Sequence, residues 1–189
     1  MGLDAVEYVM AVEAAFGIEL PDAEVRRIAT VRELAAVVRA RVPTGPTDVC
    51  LSQRAFYRVR NAFVRHAGVP RAAVRPGTLL ADLLPPEAPT RERAWAAVRA
   101  DLGPGSRYAV VDVGPVGRLL RGRPSTVADL ADEVLAHDPG AFRRLDAPWS
   151  DGQIRDVLLR LLDAQVGART RERGAAVLDA HLVHDIGLS

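Results

Sequence analysis

LDAVEYVMAVEAAFGIELPDAEVRRIATVRELAAVV, residues 3–38, is the stretch whose reading decides the fold. Val6, Val9, Val12 and Phe16 recur three and four residues apart, the period of an α-helix with one face turned to a core. The spacing predicts a helix over 4–16 that Gly17 ends. GIELPDAEVRRI (17–28) reads as a loop and a short helix. Thr30 and Glu33 have the spacing of a capping box, in which side chain and backbone satisfy each other's hydrogen bonds at a helix start, and they open a third helix to about Arg41.

Outward from there, VPTGPTD (42–48) is a linker rich in chain-breaking residues. Ser52 is read as the cap of a fourth helix, with Ala55, Phe56, Val59, Ala62, Phe63 and Ala67 on its buried face and most arginines opposite, closed by Gly68. A loop with a short turn leads to a helix from Thr90 through Trp95 and Val98 to Leu102. Residues 104–124 are read as an irregular insert, because Gly and Pro flank YAVVDV on both sides. Ser125 or Thr126 opens the next helix, TVADLADEVLA. After a loop, Trp149, Ser150 and Gln153 have the spacing of a hydrophobic staple joined to a capping box. They introduce a helix with Ile154, Val157, Leu158, Leu161 and Leu162 on its stripe, and the tail reads as loop with one turn.

Composition agrees with an all-α reading: of 189 residues 49% are hydrophobic but only 5% aromatic, so packing falls to Ala, Val and Leu. All 25 basic residues are Arg, and the net charge is +1. The distribution says more than the sum. Residues 1–24 hold six carboxylates and no Arg, whereas residues 51–75 hold six Arg and no carboxylate, so the two segments can attract each other or present opposite faces to partners. A lone Cys50 excludes an internal disulfide and fits a reducing compartment, as a partly buried, unreactive thiol. The acidic start and the lack of a long apolar run place the protein in the cytoplasm and away from membranes.

Two phrases occur twice. TVRELAAVV (30–38) is echoed by TVADLADEV (126–134), and Phe56 to Leu84, ending in LLADLLP, is echoed by Ile154 to Gly187, ending in HLVHDIG. The order is back half, front half, back half, front half.

Residues 2–40 resemble the second half of an acyl carrier protein, in which a serine precedes Leu-Asp at the start of the helix that partner enzymes read. LLADLLP and HLVHDIGLS are similar to the carrier's run into its Asp-Leu-Gly-x-Asp-Ser motif. The resemblance implies an all-α protein of two small acyl-carrier-like helical bundles. One is divergent, spans 51–137 and carries the 104–124 insert. The other is split between 1–42 and 150–189 and closed by the N- and C-terminal segments, so that the two chain ends meet.

In that family the serine hydroxyl carries phosphopantetheine, and the helix dipole favours the added negative charge. Gly2 stands at the serine's place and has no side-chain oxygen. The resemblance therefore implies a noncatalytic protein without cofactor, serving as an interaction or regulatory module for an enzyme of acyl or thiotemplate metabolism. Asp4, Glu7, Met10 and Glu13 match the positions that carriers offer to basic patches, although a solvated helix face explains them equally well. A working carrier loaded at Ser189 is the rival within the family.

Other classes leave thinner traces. Arg54, Arg58 and Arg65 form a basic patch that fits phosphates of nucleic acid, but Phe56 and Phe63 are expected on the buried stripe rather than among the arginines. His181 and His184 with Asp185 make the nucleus of a small enzyme or metal site, yet no metal is assigned, since a site needs three or four ligands. VVDVGPVGRLL imitates part of a dinucleotide fingerprint with Gly114 and Gly117, and lacks its third glycine and its βαβ surroundings. Trp95 and Trp149 are read as packing anchors.

Overall fold

The fold is all helical. The computed structural model describes residues 3–47, 49–103, 126–143, 147–166, 174 and 176–188, and the expected insert and YAVVDV lie outside them. Among the described residues there are eight α-helices: α1 Leu3–Phe16, α2 Asp22–Val25, α3 Val31–Arg41, α4 Leu51–Ala67, α5 Ala88–Leu102, α6 Val127–His137, α7 Asp151–Val166 and α8 Ala176–Asp179. Short 3-10 turns and isolated β-bridges complete the described backbone, without a strand. The chain divides into two compact units, Met1–Val49 with Asp138–Ser189, and Cys50–His137.

In the discontinuous unit, α7 packs on both α1 and α3. It buries Ile154, Val157, Leu158, Leu161 and Leu162, the stripe read from the sequence. Ser150 and Gln153 form the expected reciprocal cap: the Ser150 N–H donates to Gln153 Oε1 at 3.1 Å and the Gln153 N–H to Ser150 Oγ at 3.2 Å. Gln153 Nε2 also reaches the Val49 carbonyl at 2.8 Å. Trp149, ahead of the cap, is buried against Phe16 with ring centroids 4.7 Å apart. Its backbone N–H donates to the Pro43 carbonyl and its carbonyl accepts from Gly45, so Pro43, Gly45 and Val49 are tied to this unit. That is why the unit reaches beyond the 1–42 and 150–189 read from the sequence.

The buried stripe of α1 differs from the valine series. Ala5, Tyr8, Val12 and Phe16 face the core, while Val6 is 39% exposed. Tyr8 decides the rotation: a large ring gains more from burial than a valine does, and its hydroxyl donates to the Leu158 carbonyl at 3.1 Å. Burial first, and the nearby Asp163 carboxylate second, push the Tyr8 phenol well above its ordinary pKa.

The second unit is continuous. Here α4 packs on α5 and α6. Its start corrects the sequence reading, since Cys50 is the N-cap and Ser52 lies inside the helix, with Leu51 already buried. Cys50 itself is exposed rather than partly buried. Phe56 and Ala67 are only half-buried, leaving Leu51, Ala55, Val59, Ala62 and Phe63 as the core stripe. Gly68 closes the helix at φ 68°, a left-handed turn that Gly makes without a Cβ penalty. Helix α5 begins two residues ahead of Thr90, with Pro89 in its first turn, where the missing N–H costs nothing. Trp95 packs near Phe63 at 6.2 Å between centroids.

Both echoed phrases use one device. Thr30 caps α3 with Glu33, and Thr126 caps α6 with Asp129, whose N–H donates to Thr126 Oγ1 at 3.2 Å while Asp129 Oδ2 accepts from the Thr126 N–H at 2.9 Å. The residues one, four and eight positions on are buried in each, Val31, Leu34 and Val38 against Val127, Leu130 and Val134. Each capping threonine also forms an antiparallel bridge to the other echoed phrase, Thr30 to His181 and Thr126 to Leu79.

The raised Tyr8 pKa fixes a pH dependence. Folded Tyr8 stays protonated where an unfolded tyrosine, of pKa about 10, ionises. Its contribution is therefore complete below about pH 10 and declines above it, by up to about 1.4 kcal/mol per pH unit. Tyr8→Phe is expected to flatten that decline and to cost about 1 kcal/mol at neutral pH through the lost hydrogen bond, both measured by urea unfolding across the range.

Candidate functional site

A helix buries one face and leaves the rest to water, so large apolar side chains on the outer face of α1 stand out. Leu3 is 72% exposed, Met10 60% and Val6 39%. Their spacings of three and four residues put them in one line along the helix, with Glu7 exposed beside them. Single exposed apolar residues are ordinary, whereas an aligned set with an acidic flank is the composition of a contact surface.

The carboxylates read from the sequence divide into two kinds. Glu7 is exposed, and its Oε2 accepts from Gln165 Nε2 at 2.8 Å, so it steadies α1 against α7 and still faces water. Glu13 is half-buried and turned to the backbone, where Oε1 accepts from the Leu20 N–H at 2.6 Å and pins the loop after Gly17. Asp4 is half-buried in the first turn, where a negative charge complements the helix dipole. Sequence reasoning placed Met10 on this face but missed Leu3 and Val6. Assigning Val6 to the core hid them; the signal was the alternative spacing Ala5, Tyr8, Val12, Phe16, which leaves Leu3, Val6 and Met10 outside.

Gly2 and Ser189, the two residues that bear on cofactor attachment, lie outside the described residues.

The basic patch forms a second surface. Arg54, Arg58 and Arg65 are exposed on the outer face of α4. Arg65 Nη1 pairs with Asp101 Oδ2 at 2.8 Å, His66 Nε2 lies 3.1 Å from the same oxygen, and Arg58 Nη2 donates to the Asp101 carbonyl at 3.4 Å. Tyr57 and Val64 stand among the arginines, 39% and 37% exposed. Phe56 is not out of reach either: Arg60 lies over its ring at 4.4 Å from the centroid and 5.3 Å from that of Tyr57.

His181, His184 and Asp185 do come together, in a turn. The His181 N–H donates to Asp185 Oδ2 at 2.8 Å, while His181 Nδ1 accepts from the Val183 and His184 N–H groups at 3.2 and 3.3 Å. These bonds close the turn after α8 and engage His181 Nδ1 with backbone N–H groups. Among the described residues no group of three or more His, Cys, Asp or Glu converges on a common point. A groove between α3 and α7 is floored by Ala35, Ala36 and Ile154, and on its rim Arg32 pairs with Asp179 at 2.5 Å and Arg39 with Asp151 at 2.7 Å, with Arg155 beside them. The bond from Arg32 holds the Asp179 carboxyl below the usual carboxylate range. No helix among the described residues is long and apolar enough to cross a membrane.

Comparison with protein-family models, with curated proteins and with solved structures finds no match.

The inward-turned Glu13 and the outward-facing Met10 predict opposite responses. Glu13→Ala strips the Leu20 N–H of its acceptor and is expected to cost about 1–2 kcal/mol in urea unfolding. Met10→Ala, on the outer face, should stay within about 0.5 kcal/mol of the parent.

Proposed function

We propose that this chain is a noncatalytic protein of acyl-carrier type, not phosphopantetheinylated, that presents α1 to a protein partner in acyl or thiotemplate metabolism. The observation that carries the reading is the α1 surface: Leu3, Val6 and Met10 aligned in the open with Glu7 at their side. Such a surface suits a shallow apolar seat with a basic rim, where the apolar contacts supply affinity and the charges orient the approach. Asp4 adds to the acidic edge, and Glu13 serves the fold of the surface rather than the contact.

The paired construction of the two units supports a duplicated, permuted carrier-like ancestry. In one unit the order is α4, the Leu79 bridge, α5 and α6; in the other α7, the His181 bridge, α1 and α3 reproduce it across the chain ends. The long helix packs on the other two in each. On this reading both units are small four-helix-type bundles, and the protein works in the cytoplasm.

Loss of loading follows from the residue at the carrier's attachment position. Transfer of phosphopantetheine makes a phosphodiester through a hydroxyl oxygen, and Gly2 supplies only hydrogen. Incubation with coenzyme A and a phosphopantetheinyl transferase should leave the mass unchanged. Gly2→Ser recreates Ser-Leu-Asp and should gain one arm, and adding Glu7→Arg or Met10→Asp should abolish that gain by spoiling the surface the transferase reads. An unmodified Gly2→Ser variant would sink the carrier reading, and an arm on Ser189 of the parent chain would replace it with a working carrier.

A further inference from the structure

The outer faces of α1 and α4 are complementary in charge and alike in their apolar content. On α4, Arg54, Tyr57, Arg58, Val64 and Arg65 are exposed at helical spacing, so two large apolar side chains lie in a line edged by guanidinium groups. On α1, Leu3, Val6 and Met10 lie in a line edged by Glu7. The sequence runs the same way, with six carboxylates and no Arg in residues 1–24 against six Arg and no carboxylate in residues 51–75, and of those carboxylates Glu13 and Glu24 are engaged by the Leu20 N–H and Arg41.

We propose that the α4 face is a docking surface for the α1 face of a second copy of this chain. Two properties favour an acidic amphipathic helix over nucleic acid as the occupant. Phosphates would use the arginines but leave Val64 without an apolar partner, whereas Leu3, Val6 and Met10 provide one. A stacked base needs a free ring face, whereas Arg60 of the same helix covers the ring of Phe56 at 4.4 Å, and Arg60 and Arg71 stand over the ring of Tyr57 at 5.3 and 5.9 Å. Asp101 engages Arg65 through one contact, and a guanidinium carries five N–H donors, so the bond to Asp101 leaves donors for an incoming carboxylate.

The contact is heterologous, because the surface that docks differs from the surface that receives. Each copy carries one of both, so association does not stop at two unless the ring closes. One helix face on another buries far less than the roughly 1,200 Å² of a stable interface. Association is therefore reversible, concentration-dependent and weakened by salt. The inference shares the α1 face with the proposed function but does not depend on the carrier resemblance.

Sedimentation of the full chain tests it. At low salt the weight-average mass of the parent should rise with concentration, and in about 1 M salt, where screening acts within about 3 Å, the rise should shrink. Glu7→Arg and Arg58→Glu, both at exposed positions, should each weaken self-association at least about tenfold while circular dichroism shows both variants folded at the temperature of the sedimentation run. Mixed in equal amounts, the two variants should form a 1:1 complex, since one keeps a working α4 and the other a working α1. A parent that stays monomeric at every concentration overturns the proposal, as does association that both variants retain. Salt-sensitive capture of a single-stranded oligonucleotide, lost in Arg58→Glu and without self-association, would assign the face to nucleic acid instead. None of these results touches loading of the Gly2→Ser variant, so the two readings fail separately.

Discussion

Helix α7 packs on both α1 and α3, and the burial of Ile154, Val157, Leu158 and Leu162 in that contact is what the discontinuous unit depends on. Each such side chain contributes about 1.5–3 kcal/mol on leaving water. The hydroxyl of Tyr8 adds direction to an otherwise nondirectional force, because it meets the Leu158 carbonyl and so fixes the rotation of α1 about its own axis. A rotation that buried Val6 instead would withdraw Tyr8 from this bond. The outward presentation of Leu3, Val6 and Met10 is thus a product of the core, not an independent surface choice.

Most of the helical plan is legible in the sequence because its signals are local. The threonine caps at 30 and 126, the Ser150 and Gln153 box and the apolar run of α7 all act within a turn or two of the residues that encode them. What escapes is decided at a distance. Val6 and Tyr8 compete for the same core, and the choice needs the Leu158 carbonyl, which no window around α1 contains. Ser52 has the chemistry of a cap, yet burial of Leu51 draws the helix back past it. Phe56 has the hydrophobicity of a core residue but finds its cover in the guanidinium of Arg60.

The candidate site was legible in the same uneven way. Glu7 and Met10 emerge from the family resemblance and are exposed, whereas Glu13 emerges with them and is turned to the Leu20 amide. Residue type alone does not separate a carboxylate that accepts from a side chain and still faces water from one that is turned to a backbone donor. His181, His184 and Asp185 make the same point, since their proximity, which sequence takes for chemistry, is used to close a turn.

The discontinuous unit leaves the chain at Val49 and resumes at Asp138, with the other unit's residues wholly between. Tyr8 and the Leu158 carbonyl that accepts its hydrogen bond are 150 positions apart. As the nascent polypeptide leaves the ribosome, α4, α5 and α6 acquire their packing partners while α1 and α3 still lack theirs. The inserted unit is thus mature before the unit that brackets it can be, and α1 and α3, though made earlier, must wait, apolar stripes uncovered, until translation of the α7 codons is done.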